Sequence, residues 1–505
     1  MLDLVFRPDP AHRDPVYRQL ADHLAELISA QRLCSGERLP PSRELAEALG
    51  ISRNTVTRAY AWLTEAGWLG SRVGRGTFVQ RARRKAPGPR ALEAVPPPFA
   101  WSALFTSPVR ALRIPREAPA GDADPPRVDF RPGRVDLKGL PLAELQGAWQ
   151  RAVGGLREHG NEFDSLGYAP LRAAIARSLA GRGIARHADE VMVTSGAQQA
   201  IDLVARALIE PGDIVAVEDP GYFLALLAFR AAGAQLVGIG VDGDGMRVEE
   251  LARVLRTRRV KLAYVTPSVQ VPTGASLSLA RREVLLELSG RAQMPILEDD
   301  YDCELRLGEP AVPAMMAMDG GDRVIYVGTF SKALFPGLRL GYVVGAPTLL
   351  RALAPLRAAA TFQPSLVDQL ALSELLAGDL LERHVRRVRK RYGERARAMA
   401  SALAASMPEG TRFREPCGGS SIWVELPPHV DADALAVAAR ERGIAYASGE
   451  PFRVESAGPP ALLLSFAALV PDEIRDGVEE LAALARTCAR KRRLAPARRA
   501  SRRTR

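Results

Sequence analysis

Apolar and polar positions follow three different rhythms along this chain, and the changes of rhythm divide it. In PVYRQLADHLAELISAQ the apolar residues Val16, Leu20, Leu24, Leu27 and Ile28 recur at helical spacing and predict an amphipathic helix. PPSRELAEALG predicts a second helix with Ser42 as N-cap and Gly50 as its stop, and ISRNTVTRAYAWLTEAG a third, from near Ser52 to Gly67. WLGSRVGRGTFV reads as two short strands around a glycine-containing turn, a hairpin. Residues 81–126 then lose periodicity and become dense in Pro, Ala and Arg, which predicts a semi-stiff linker in which Phe99 and Trp101 dock part of the segment on a neighbour.

Beyond the linker the pattern changes again. EVMVTSG, DIVAVEDPGY, QLVGIGVD, KLAYVTPS, PILEDDYD and RVIYVGTFSK are β-branched or aromatic runs ending in Gly, Pro, Asp or Ser, and amphipathic segments separate most of them. Such alternation predicts a mainly parallel sheet covered by helices on both faces, with ligands gathered at the carboxyl ends of its strands. The expected organisation is a winged helix-turn-helix over residues 1–80, a linker over 81–126, a large α/β unit over 127–485 and a basic tail over 486–505.

Length and composition narrow this only slightly. At 505 residues the chain exceeds one ordinary core, and 47% hydrophobic with 25% charged residues is usual for a globular protein. No apolar run approaches the roughly 18 residues of a membrane span, and no secretory signal opens the chain, so the expectation is a cytoplasmic protein with no membrane partner. Cys34, Cys303, Cys417 and Cys488 lie far apart without a CxxC pair, which fits neither a disulfide framework nor a metal site. The net charge of +11 suggests nucleic acid until its location is read: ten basic residues and no acid fall between Arg486 and Arg505, and the rest of the chain is close to neutral. A case for DNA therefore rests on local motifs.

SRNTVTR supplies that case. It places Arg53, Asn54, Thr55 and Arg58 at the start of the third helix, where a helix-turn-helix reads base edges; Arg suits guanine and Asn suits adenine. Arg43 in PPSRELA is placed for the phosphate backbone, and Arg72 and Arg75 sit at the wing tip. Residues 15–79 resemble the winged helix-turn-helix of the GntR regulator superfamily, on the marks GERLPPSRELAEALGISRNTVTRAYAWLTEAGWL and GRGTFV.

GTFSKALFPGLRLGY poses a different question, because it sets Lys332 among small and apolar residues. Partial burial disfavours an ammonium and so yields an amine able to condense with aldehydes. Pyridoxal phosphate needs such an amine, an anion cradle, a carboxylate for its ring nitrogen and a stacking ring. Ser195, Gly196, Ala197 and Gln198 follow a strand and open a helix, where free N–H groups favour phosphate, and Thr329 and Arg339 are placed to complete the cradle. Asp299 suits the pyridinium nitrogen, Tyr301 the phenolic oxygen, and Tyr222 in EDPGY the ring platform.

From Asp129 to about Leu484 the chain resembles fold-type I aminotransferases, and as a whole it resembles the MocR subfamily of GntR regulators, most specifically in TPSVQVPTG, EDDYD and GTFSKALFPGLRLGY. The resemblance implies a smaller C-terminal α/β subdomain, an internal aldimine at Lys332, and a head-to-tail homodimer that binds promoter DNA and responds to pyridoxal phosphate or an amino compound. Three positions depart from the pattern. Leu463 stands where an arginine usually clamps the substrate α-carboxylate, with Arg453 the nearest replacement in sequence. Glu162, with Phe163 beside it, stands where a tyrosine helps hold the phosphate, and Val269 where relatives have histidine. These changes favour a sensor over a catalyst. An active amino-acid aminotransferase with an appended DNA-binding unit, and a regulator with an empty vestigial pocket, are the competing readings.

Overall fold

A computed structural model describes residues 6–9, 14–72, 76–80, 101–106, 109–110, 112, 125–307, 312–320, 322–454 and 458–488. The chain divides into two compact units, Met1–Trp101 and Ser102–Arg505. Most of the expected linker, Arg75 at the wing tip and the tail from residue 489 lie outside the described residues.

In the first unit, α1 (Val16–Ser29), α2 (Ser42–Leu49) and α3 (Arg53–Glu65) close on one core that includes Leu20, Leu24, Leu45, Val56 and Leu63. Each such leucine contributes about 1.5–3 kcal/mol on burial, which is why the helical spacing of apolar residues is decisive here. Ser52 caps α3 by accepting a hydrogen bond from the Thr55 N–H at 3.1 Å, and Gly50 turns the chain out of α2 with φ of +66°. Ser42 does not cap α2: it is the first helical residue, and Pro41 precedes it without a side-chain bond. The hairpin forms as β1 (Leu69–Arg72) and β2 (Gly76–Val79), antiparallel, with Leu69 opposite Val79. Residues 36–39 run along the outer edge of β2, where the Leu39 N–H donates to Thr77 O at 2.9 Å and the Val79 N–H to Glu37 O at 2.9 Å.

The second unit opens with β3 (Val128–Asp129) and then builds an eight-stranded sheet from β4 (Val191–Thr194), β5 (Ile214–Asp219), β6 (Gln235–Asp242), β7 (Gly245–Met246), β8 (Val260–Val265), β9 (Ile296–Asp299), β10 (Val324–Thr329) and β11 (Gly341–Val344). The spatial order is β4-β11-β10-β9-β8-β5-β6-β7; the pairings among β10, β9, β8, β5 and β6 are parallel, and β11 and β7 run against their neighbours. The strands at its centre are buried on both faces, as continuous apolar runs require.

Helices α4 (Leu142–His159), α5 (Ala169–Ala180), α8 (Val248–Leu255), α9 (Leu279–Ala292) and α11 (Leu366–Ala377) share a core with one face of the sheet. Helices α6 (Ala197–Leu208), α7 (Phe223–Ala231) and α10 (Pro347–Thr361) share a core with the other. This is the expected α/β architecture.

The smaller C-terminal subdomain holds α12 (Leu380–Ser406), α13 (Ala432–Glu441) and α14 (Pro471–Thr487) with an antiparallel sheet in the order β12-β13-β16-β15, formed by β12 (Arg412–Phe413), β13 (Ser421–Glu425), β15 (Ala447–Ser448) and β16 (Ala461–Ser465). The short β14 (Ile444–Ala445) pairs in parallel with β3, so the first strand of the unit belongs to its last subdomain. Side chains alternate across β13 and β16: Ile422, Val424, Leu462 and Leu464 enter the helical core, while Trp423 and Leu463 face the opposite side.

Candidate functional site

Three chain segments meet at the carboxyl ends of β4 and β10. Ser195 and Gly196 lead from β4 into α6, with Gly196 at φ of +90°. Arg339 reaches across from the loop before β11; its guanidinium donates to Ser195 O at 3.1 Å, and a Cβ on Gly196 would lie 3.2 Å from it. A Cβ on Gly341 would lie 2.7 Å from Gly328 O and 2.9 Å from Ala197 N, so only glycine admits this approach of three backbones. The first N–H groups of α6 have no partner within the helix, and they line the resulting cup.

The turn after β10 carries Lys332, which is half-buried. Thr329 shapes that turn: its hydroxyl donates to Leu340 O at 3.3 Å and accepts from the Ser331 N–H at 3.2 Å. The side chain of Gln198 donates to Leu224 O at 3.0 Å, and its Oε1 is buried without a partner among the described residues. Ser331, which the sequence reading passed over, has a buried hydroxyl with no hydrogen-bond partner among the described residues.

Opposite the cup lies a set of buried acids. Asp299 ends β9; its Oδ2 accepts from the Tyr264 hydroxyl at 2.8 Å, and its Oδ1 is buried without a partner among the described residues. Burial raises its pKa to about 7, with the Tyr264 hydrogen bond opposing. Burial also raises Asp302 to about 6, against the opposing charge of Lys332. Glu218 is raised to about 7 by burial although Thr266 and Gln270 donate to it. Burial works the same way on Asp300, but the Arg182 guanidinium outweighs it and holds that carboxyl below its usual range. Tyr301 sits with its ring centroid 5.9 Å from Lys332 Nζ. Burial, then the charge of Asp299, pushes the Tyr222 phenol up, while Arg339 acts in the other direction.

These residues fit pyridoxal phosphate. A cationic ring nitrogen would complete the unpartnered Asp299 oxygen, and a phosphate would meet the α6 N-terminus, the Ser331 hydroxyl and Arg339. The structure brings Lys332, Asp299, Tyr301, Tyr222, Thr329, Arg339 and the 195–198 turn to one cleft.

The positions that depart from the aminotransferase pattern have plain surroundings. Leu463 is buried against Trp423, Phe452 and Ala461. Arg453 donates to Pro459 O at 2.9 Å, with its guanidinium 5.8 Å from the centre of the Trp423 ring. Glu162 turns to its own helix end, 2.9 Å from His159 Nδ1, so its carboxylate is already paired.

In the first unit Arg43 and Arg53 line one shallow concavity with Ala46, Glu47, Gly50 and Ile51, between α2 and the start of α3. Arg53 and Asn54 are exposed, whereas the Thr55 hydroxyl sits 2.8 Å from Ser52 Oγ in the helix cap. The guanidinium of Arg58 stacks on Tyr17 at 4.1 Å. Arg72 ends β1, and Arg38, which the sequence reading missed, packs beside Gly76 on the wing.

Both units match known families. Residues 16–79 match the gntR family of bacterial regulatory proteins, and residues 150–481 match aminotransferase class I and II. Over 481 residues the chain is 33% identical to the probable rhizopine catabolism regulatory protein MocR of Rhizobium meliloti, covering 92% of this chain and 93% of that one. The chain belongs to the MocR-type regulators of the GntR family. The second unit of this MocR-type chain is also 36% identical over 362 residues to the 2-aminoadipate transaminase of Thermus thermophilus, covering 70% of this chain and 90% of that one. Its fold is similar to Pyrococcus horikoshii kynurenine aminotransferase, solved with PMP, with a TM-score of 0.72, 31% identity, and coverage of 77% of this chain and 98% of that one. Fused GntR and aminotransferase-like units make it a DNA-binding regulator by architecture.

Proposed function

We propose that this regulator binds specific promoter DNA through α3 and the wing, holds pyridoxal phosphate at Lys332, and responds to the cofactor or to an amino compound that reaches it. The observation that carries the reading is the unpartnered, buried Asp299 oxygen in the same cleft as Lys332 and the α6 cup. When bound, the cofactor supplies an aldehyde that condenses with primary amines. The protein's own residues do the rest. Asp299 holds the ring nitrogen's proton, Tyr222 covers a ring face, Tyr301 contacts the phenolic oxygen, and Ser331, Arg339 and the 195–198 backbone hold the phosphate. Regulation requires that one ligand state favour one DNA-binding geometry, because only differential affinity moves such an equilibrium.

A head-to-tail homodimer is part of this proposal. Arg339 is exposed, and Phe163 stacks on Phe362 at 4.3 Å with 46% and 61% of their surfaces exposed, a patch suited to a second copy.

Promoter retention measured with and without pyridoxal phosphate tests the whole. Arg53→Ala or Asn54→Ala costs about 1–3 kcal/mol and relaxes specificity, whereas Arg43→Ala weakens all sequences alike and lowers the salt slope by about 1. No sequence-specific retention at moderate salt would remove the reading. The presence of Lys332, Asp299 and Tyr222 together favours a second one, an active aminotransferase; turnover of an amino acid and an oxo acid well above that of Lys332→Ala would establish it.

A further inference from the structure

The side of the cleft facing β13 and β16 is as apolar as the cup is polar. Trp423 and Leu463 are cross-strand partners on the same face of the small sheet, and they pack with Phe452, Phe223 and Val271. This wall is fastened to the ring platform. Phe223 follows Tyr222 and packs on Phe452 at 5.4 Å, and the Gly221 N–H donates to Phe452 O at 2.7 Å. On the Lys332 side it continues through Val269, whose methyl groups lie 2.8 Å and 3.1 Å from where Cβ atoms on Gly418 and Gly419 would sit; the Gly419 position is also 3.1 Å from Asp302 Oδ2.

A ligand whose amino nitrogen reaches Lys332 would carry its substituent toward the acid set or toward this wall. A carboxylate there would meet apolar rings on one side and Asp299, Asp302 and Glu218 on the other. Among the described residues, Lys332 is the attachment point, Arg339 is at the cup, Arg182 is paired with Asp300, and Arg453 lies against the 458–459 backbone, where a Cβ on Gly458 would be 2.0 Å from its guanidinium; Arg306 meets the wall segment with its backbone, its Cα 3.0 Å from where a Cβ on Gly418 would sit, and its Nε is buried without a partner. Desolvating a carboxylate without a cationic partner is unfavourable, whereas a hydrocarbon substituent gains by burial.

We propose that the amino compound accepted at this site is a primary amine with an apolar substituent and no α-carboxylate, with Leu463 and Trp423 as the residues that determine this. The inference rests on the cofactor reading above. It concerns binding, independently of any turnover.

The test uses the full-length protein saturated with pyridoxal phosphate. Mass spectrometry after borohydride reduction first establishes whether Lys332 carries the cofactor. Matched pairs are then titrated against the cofactor absorbance: isoamylamine with leucine, phenethylamine with phenylalanine, tyramine with tyrosine. Each amine is expected to half-saturate at a concentration roughly 10–100-fold below its amino acid, the ratio that desolvating one unpaired carboxylate produces. Leu463→Arg is expected to narrow or reverse the ratio, Leu463→Met to preserve it, and Arg453→Ala to leave it unchanged. Should Leu463→Arg not fold, the wild-type ratios and Arg453→Ala still decide. Cofactor on Lys332 with amino acids bound as well as their amines, or with no response to any amine, overturns this inference alone. Absence of cofactor from Lys332 overturns the underlying reading and this inference with it.

Discussion

The two walls of the cleft were built by opposite rules. On the cup and acid side, polar atoms are buried without partners: Asp299 Oδ1, Ser331 Oγ and Glu218 Oε1 among them. On the β13–β16 side, Leu463, Trp423, Phe452 and Val271 fill space, and among these described residues the one side-chain hydrogen-bonding group, the Trp423 indole N–H, donates to Glu425 Oε1 at 3.5 Å. Burying an unsatisfied polar atom costs about 1–3 kcal/mol, so several of them near one half-buried lysine mark a candidate ligand site. On the proposed reading, the contrast assigns recognition to the cofactor and little of it to a ligand's negative charge.

The comparison can be broken most forcefully from the apolar side. Leu463→Asp buries a carboxylate among rings, where the nearby Arg453 is already held to the Pro459 carbonyl, and a loss of about 3–5 kcal/mol of stability is expected in denaturant titration. A loss under 1 kcal/mol would mean that the wall is open to water and the contrast overstated.

On the polar side, Asp299→Asn removes the charge that a pyridinium requires. Cofactor affinity should fall by roughly 10–100-fold, the value of a charge-assisted hydrogen bond, in an equilibrium titration. The same substitution should have the reverse effect on the cofactor-free protein. Burial raises the Asp299 pKa to about 7, so its contribution to stability is fully present below the unfolded value of about 3.9 and is lost as pH rises through 7. Asn does not titrate. Cofactor-free Asp299→Asn should therefore melt above wild type at pH near 8, by a few degrees, with the gap closing toward pH 4. Equal gaps at both ends would show that the carboxyl is solvated.

Ser331→Ala is expected to have the smallest effect. One neutral hydroxyl is worth about 0.5–1.5 kcal/mol to a bound phosphate, which corresponds to roughly 2–12-fold in cofactor affinity at unchanged melting temperature. A larger change would mean that Ser331 also orders the turn holding Lys332.

Much of this was legible in the chain, because strand-ending runs and helix starts are local features. The six β-branched or aromatic runs beyond the linker are all strands of the large sheet, and Lys332, Asp299 and the 195–198 turn fall at strand ends as such runs require. What escaped was set by contacts distant in sequence. GYVV is not among the runs read as strands, yet β11 enters between β4 and β10 and brings Gly341 and Arg339 to the cup. Tyr264 lies inside β8 with nothing local to mark it, and its link to Asp299 depends on β8 and β9 being neighbours. Ser42 illustrates the limit for helix ends: a residue type that suits a cap became the first helical residue because proline precedes it.

The most direct test of the central claim is peptide mapping by mass spectrometry of folded protein, saturated with pyridoxal phosphate and reduced with borohydride, beside Lys332→Ala treated identically. A phosphopyridoxyl group is expected on the peptide containing Lys332 and none in the variant. A folded wild-type protein with no modification at that lysine, or with modification undiminished elsewhere in the variant, would contradict it.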